Sequence, residues 1–297
     1  MEDYIKYLNP KTIAQLEKIE LKARLVVEGF ITGLHRSPYH GFSVEFSEHR
    51  QYYPGDEVKH IDWKVYGRTD KYFIKQYEEE TNLRCVLAVD KSASMKYASG
   101  DNISKFQYAI FLSAAFAYLL LKQRDAVGLA LYDKELQTYL PARSKRSYIY
   151  QILKQLDSTE PSDTTGTAEA LNQLAERINR RGLVIIMSDF LDSEESVVNA
   201  LKHFRHRNHE VIVFHILDPQ ELEFKFGSGA NFVDVESGEE MVTQPFQIRK
   251  SYKQAVENFI NTIKRECYNH NIDYNLITTD ETFDKALRKF LAKRTRV

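Results

Sequence analysis

Asp90, Ser92 and Ser94 alternate along the segment Asp90-Lys91-Ser92-Ala93-Ser94, which follows an apolar run ending at Val89. A chain alternating in this way can turn one carboxylate and two hydroxyls to one side while Lys91 and Ala93 point elsewhere. That is an oxygen-only cradle. Hard divalent cations such as Mg²⁺ take oxygen donors in near-octahedral geometry and keep several waters, so neither thiolate nor imidazole is needed. Two more carboxylates, Asp189 and Asp218, also sit just beyond apolar runs. The plainer reading of Asp90 and its serines is that they cap the helix after the loop.

The elements that must position these residues form a repeating strand–helix alternation after Leu83. Apolar strands are expected at 84–89, 126–132, 183–187 and 210–215, with a partner strand around 136–140 and a last strand at 273–278. Helices are expected at 103–122, 144–156, 167–179, 251–268 and 281–293. Strands that are apolar throughout and separated by helices indicate a parallel sheet covered on both faces, and such sheets bind ligands beyond the carboxyl ends of their strands. Asp90, Asp189 and Asp218 all fall there.

The first third of the chain has a different character. Ile13, Leu16, Ile19, Leu21, Leu25, Val26 and Phe30 predict one amphipathic helix between Pro10 and Ile31. From Ser37 to Glu80, tyrosines, histidines and charges surround the turn signal Tyr53-Pro54-Gly55-Asp56, which predicts short strands and loops with Trp63 as core anchor. We therefore divide the chain into a small N-terminal α+β subdomain, residues 1–83, and an α/β domain, residues 84–297.

Composition narrows the function classes. With 43% hydrophobic and 28% charged residues, the chain has the balance of an ordinary globular protein. Its 41 basic residues offset 42 acidic ones, so no global field draws it to nucleic acid or an anionic membrane. The apolar stretch Tyr108 to Leu121 is shorter than the roughly 20 residues needed to span a bilayer and is expected to be a buried helix. Cys85 and Cys267 offer no disulfide framework and are expected to be buried fillers. With an acidic start, Met1-Glu2-Asp3-Tyr4, these features lead us to expect a cytoplasmic protein.

Asp-x-Ser-x-Ser after a first strand resembles the metal-ion-dependent adhesion site of von Willebrand factor A domains. The resemblance implies a Rossmann-like, mostly parallel sheet flanked by helices, and a site completed by a threonine from a second loop and an aspartate from a third. In Asp163-Thr164-Thr165-Gly166-Thr167-Ala168, Thr165 occupies the family position, with Thr164 and Thr167 as close competitors because the usual Gly-Gly is absent. Asp189 in Met187-Ser188-Asp189-Phe190 supplies the third loop. By resemblance, Ser92, Ser94 and Thr165 would contact the ion directly and Asp90 and Asp189 partly through water. A partner's carboxylate would fill the open position. The ion expected is Mg²⁺, with Mn²⁺ or Ca²⁺ as alternatives.

A more specific resemblance covers nearly all of the chain. His35-Arg36-Ser37, Gly41-Phe42-Ser43-Val44-Glu45-Phe46, Arg50-Gln51-Tyr52-Tyr53-Pro54-Gly55-Asp56, His60-Ile61-Asp62-Trp63 and Gly67-Arg68-Thr69 are similar to domain-of-unknown-function family 58. Lys91 departs from its small-residue pattern and places a charge beside the proposed ion. The resemblance implies a non-enzymatic adaptor working with a MoxR-type AAA+ ATPase or its client. Arg36, Glu45, Arg50, Asp56, Asp62 and Arg68 are expected to lock turns as carboxylate–arginine pairs.

Other residues suggest other chemistries. Ser92, Asp189 and His215 occur in the chain order of an α/β-hydrolase, but Lys91 and Ala93 do not make the glycine-flanked nucleophile elbow. A Mg²⁺-dependent phosphatase would want a second acid where Ser92 stands. His203, His206 and His209, interrupted by Arg205 and Arg207, resemble a zinc cluster only in spacing, and Ser104-Lys105 is read as polar residues opening a helix. The basic C-terminus, Lys285 to Arg296, is read as a solvated helix face.

Overall fold

Asn9 accepts a hydrogen bond from the Lys11 backbone at 2.9 Å, and Pro10 presets the first turn of α1 (Pro10–Ala14). The computed structural model describes residues 9–35, 49–53, 63–75, 83–162, 166–224, 230–233, 240–243 and 245–294. The single helix expected from Pro10 is divided: the Leu16 N–H bonds back to Ile13 and ends α1, and α2 (Ile19–His35) starts afresh. Ile19, Ala23, Val26 and Val27 are its buried stripe.

Residues 38–82 form a compact unit of their own. In it β1 (His49–Gln51) pairs antiparallel with β2 (Phe73–Lys75), with α3 (Trp63–Thr69) between them in sequence. The helix is a correction to the expectation of strands and loops. So is Trp63, which is 57% exposed rather than a core anchor. The packed aromatic pair is Tyr66 stacked on Tyr72 at 4.5 Å, and Trp63 meets Tyr66 edge-on at 6.1 Å. Arg36, Glu45, Asp56 and Asp62 lie outside the described residues; Arg68 is exposed.

The remaining unit comprises residues 1–37 and 83–297, so α2 belongs with the α/β unit and the division differs from a boundary at 83. Its elements run β3 (Arg84–Asp90), α4 (Lys105–Lys122), β4 (Ala126–Tyr132), β5 (Leu136–Arg143), α5 (Tyr148–Asp157), α6 (Thr167–Arg177), β6 (Leu183–Ser188), α7 (Glu194–His206), β7 (Glu210–Leu217), α8 (Pro219–Glu223), β8 (Ala230–Val233), β9 (Glu240–Thr243), α9 (Pro245–Asn269), β10 (Asp273–Thr278) and α10 (Phe283–Arg294). Six strands form one sheet in the order β10-β7-β6-β3-β4-β5, parallel except for β5, while β8 and β9 pair separately.

The expected α/β architecture is therefore present, for the reason the apolar strands suggested: both faces are covered. On one face Val86, Ala88, Val184, Ile186, Val211 and Val213 pack with Leu171 and Leu174 of α6, Leu201 and Phe204 of α7, and Ile263 and Cys267 of α9. On the other, α4 lies on β3, β4 and β7 with α2 packed on it in turn. This explains why α4 is buried on nearly every side and why α2 carries an apolar stripe. A fully buried side chain such as Leu87 contributes roughly 1.5–3 kcal/mol. Among the described residues no helix is long and apolar enough to cross a membrane.

Candidate cation site

Asp90 ends β3, a central strand flanked by β6 and β4, so its carboxylate emerges at the carboxyl edge of the sheet between two neighbours. It is fully buried. Its Oδ1 accepts the Ser92 backbone N–H at 2.8 Å. Its Oδ2 accepts the hydroxyls of Ser188 at 2.5 Å and Thr167 at 3.1 Å.

The first loop closes into a short 3-10 turn, Ala93–Lys96, and the Ser92 side chain makes no capping bond to it. Ser92 and Ser94 instead turn their hydroxyls toward each other, 3.2 Å apart, with Ser94 half-buried at the outer side. The cap of α4 is Ser104, whose hydroxyl accepts the Gln107 N–H while the Gln107 side chain accepts the Ser104 N–H. Helix capping is thus assigned to Ser104 and not to the serines of the loop. Lys91 is held aside: its ammonium pairs with Asp133 at 3.7 Å, and its backbone N–H donates to the Tyr132 carbonyl at 2.8 Å.

In the second loop, Thr164 and Thr165 lie outside the described residues. Thr167, weighed from sequence as a competitor of Thr165, opens α6 and donates to Asp90. The loop's approach is set by Gly166, where an added Cβ would stand 2.8 Å from the Lys134 Cα in the β4–β5 turn.

In the third loop Asp189 is buried beside Phe190, a non-glycine residue at φ 53°. That left-handed conformation is costly for a bulky residue. It is held by the Phe190 N–H donating to the Ser188 hydroxyl at 2.8 Å and by the Phe190 ring edge-on to His215 at 5.5 Å. Asp189 Oδ1 accepts the Leu191 N–H at 3.3 Å, and Oδ2 accepts the Lys105 ammonium at 2.8 Å.

Two buried carboxylates in one place are electrostatically strained. The Asp90 carboxyl is pushed up to about 6, first by burial and then by the negative charge of Asp189, against the hydrogen bonds from Ser188 and Ser92. Among the described residues no three His, Cys, Asp or Glu side chains gather as metal ligands. The donors present are two carboxylates and paired serine hydroxyls, a set that fits a hard, oxygen-seeking cation and no softer one. The zinc reading finds no support: His203 meets Asn172 at 3.1 Å, and His209 is buried beyond the end of α7.

The hydrolase arrangement is not assembled. His215 lies opposite Ser188 in the β6–β7 register and shares a hydrogen bond between Nδ1 and the Tyr274 hydroxyl at 2.7 Å. Burial lowers it to about 4. Ser92 pairs with Ser94, so no chain of hydrogen bonds runs from it through His215 to the Asp189 carboxylate.

Nothing in the sequence singles out Ser188 as a partner of Asp90, and Lys105 stands there only as a polar residue opening a helix. Lys105 is fully buried, bound to Asp189 and, at 2.5 Å, to Glu221. A signal existed: Lys105 shares its helical face with Tyr108, Ala109 and Leu112, large or apolar residues that are all buried. For Glu221 the signal was the Asp-Pro-x-Glu capping pattern opening α8.

Residues 48–259 match the family model described as a protein of unknown function, DUF58. Over 97% of its length the chain is 28% identical to the uncharacterized protein Rv1480 of Mycobacterium tuberculosis and, with the same figures, to Mb1516 of Mycobacterium bovis, covering 91% of each. Solved structures similar to it include the conserved hypothetical protein BatB from Bacteroides thetaiotaomicron (18% identity, TM-score 0.48, 72% of this chain and 100% of that one). Another is an aerotolerance-related membrane protein from Bacteroides fragilis (18% identity, TM-score 0.49, with the same coverage). The SpRpn10 VWA domain is 11% identical, with TM-score 0.40 over 70% of this chain and 94% of that one.

Proposed function

This chain belongs to the DUF58 family, and from that premise we propose that it is a non-enzymatic protein-interaction module whose grip on its partner depends on a divalent cation, Mg²⁺ in the first instance. The observation that carries the reading is the placement of Asp90 and Asp189, two buried carboxylates, beside the hydroxyls of Ser92 and Ser94, which face each other at 3.2 Å, at the carboxyl edge of a parallel sheet. Ser92 and Ser94 would hold the ion through hydroxyls and Asp90 and Asp189 through carboxylates, with Thr165 added from the family pattern. Asp90 already receives three hydrogen bonds, which suits a role one water removed from the ion. When bound, the ion would offer an open coordination position to an acidic side chain of the partner.

The partner class we propose is a MoxR-type AAA+ ATPase or one of its clients, which rests on the family resemblance. The test is capture from native extract by immobilised protein, with and without EDTA, alongside calorimetric titration with Mg²⁺ and Mn²⁺. Chelator-sensitive capture that is lost in Asp90→Ala, with the fold intact by circular dichroism, supports the reading. Capture indifferent to EDTA, or no cation binding at millimolar concentration, removes the ion from it.

A further inference from the structure

The least expected group near the candidate site is a lysine with no access to solvent. Lys105, the first residue of α4, is 0% exposed, and its ammonium lies 2.8 Å from Asp189 Oδ2 and 2.5 Å from Glu221 Oε1. With a carboxylate on each side, the buried ammonium is paired twice over and keeps its charge. It therefore sits where it neutralises one of the carboxylates a divalent ion would use.

Its second partner belongs to a different part of the fold. Glu221 is in α8, where its other carboxylate oxygen accepts the Asp218 N–H at 2.7 Å. Asp218 in turn accepts the Ser99 N–H at 3.0 Å, and the Tyr97 hydroxyl donates to Gln220 at 3.3 Å, so α8 is tied to the segment that follows the Asp90 loop. One ammonium thus bridges the third loop of the candidate site and α8. Divalent and ammonium cations cannot both hold Asp189 at full strength, because each repels the other across a few ångströms of poorly solvated interior.

We propose that Lys105 is a tethered internal cation that competes with the divalent ion for Asp189, and that Glu221 sets the strength of that competition by offering the ammonium an alternative anchor. The inference rests on the cation reading of the Asp90 site. Cation occupancy then shifts the ammonium toward Glu221 and tightens α8, giving the site a mechanical connection to residues 218–223.

The two partners make opposite predictions, which a merely structural role would not. In the full-length protein titrated with Mn²⁺ by calorimetry and electron paramagnetic resonance, Lys105→Met removes the competitor and is expected to raise affinity about tenfold. Glu221→Gln removes the alternative anchor and is expected to lower it several-fold. Amide hydrogen exchange in residues 218–223 should slow on Mn²⁺ addition in the natural sequence and not in Glu221→Gln. Should Lys105→Met fail to fold, Glu221→Gln, whose side chain is 18% exposed, carries the test by itself through affinity and exchange.

Affinities that shift in the same direction in both variants, or in neither, overturn the competition while leaving the cation reading standing. Binding by Lys105→Met alone supports competition in its extreme form and shows that the natural chain does not take the ion unaided. Absence of binding in natural and variant proteins alike removes both the site and this inference.

Discussion

Ser188 donates its hydroxyl to Asp90 Oδ2 at 2.5 Å, fastening the end of β6 to the end of β3 directly beneath the candidate site. The same hydroxyl accepts the Phe190 N–H at 2.8 Å, so one serine fixes the first loop's carboxylate and the strained turn that delivers Asp189.

Ser188→Ala should accordingly do more than remove one bond. It takes one of the two hydroxyls from Asp90 Oδ2, which keeps Thr167, and deprives the buried Phe190 N–H of the Ser188 oxygen, for a loss of about 1–3 kcal/mol in denaturant unfolding. It also removes a hydrogen bond that lowers the Asp90 carboxyl, which should titrate above its present value of about 6 by NMR. A stability and a titration both unchanged would show that Ser188 does not support Asp90.

Cation binding should weaken on acidification. The ion requires ionised Asp90, whose carboxyl lies at about 6 without it, and a single competing proton lowers affinity about tenfold per pH unit below that point. Mn²⁺ titrations at pH 7.5, 6 and 5 measure this, and a flat profile across that range would exclude an ionised Asp90 from the cation site, whether it acts directly or through water.

His215 should make the fold acid-sensitive. Its value is lowered from 6.5 to about 4, so the neutral ring contributes stability that is complete above pH 6.5 and is lost as pH falls toward 4, amounting to roughly 3 kcal/mol. Asp90 acts in the opposite sense, because a carboxyl raised from 3.8 to about 6 contributes stability below 3.8 that is lost as pH rises through 6. Comparing unfolding of the natural protein with His215→Leu from pH 7 to 4 isolates the histidine: the variant should lack the decline. Parallel curves would falsify the assignment.

Gly166→Ala tests the approach of the second loop. Its Cβ would stand 2.8 Å from both Cα and Cβ of Lys134, a clash with backbone that side-chain rotation cannot relieve. The expected cost is about 1–3 kcal/mol of stability. Because Thr167 follows directly, cation affinity should fall as well. An alanine variant with natural stability would mean the β4–β5 turn yields freely.

Much of the fold was legible because strand and helix leave periodic apolar patterns that burial enforces. Arg84–Asp90, Leu183–Ser188 and Asp273–Thr278 fall within a residue of expectation, and the apolar stretch Tyr108 to Leu121 is the buried α4. The places that failed are local. Trp63 is an apolar side chain whose burial no periodicity specifies, and the helix around it has only two turns of pattern to show.

The sequence by itself determined the parallel sheet and the position of Asp90, Ser92 and Ser94 at a strand exit, because both depend on neighbours along the chain. Only the tertiary structure decided that Ser188 and Thr167 grip Asp90, that Lys91 turns away to Asp133, and that Lys105 faces Asp189 and Glu221. Lys105 meets residues 84 and 116 positions away. Such meetings are set by strand order and helix packing, which place charges together across the sheet's edge without leaving a repeat in the sequence to announce them.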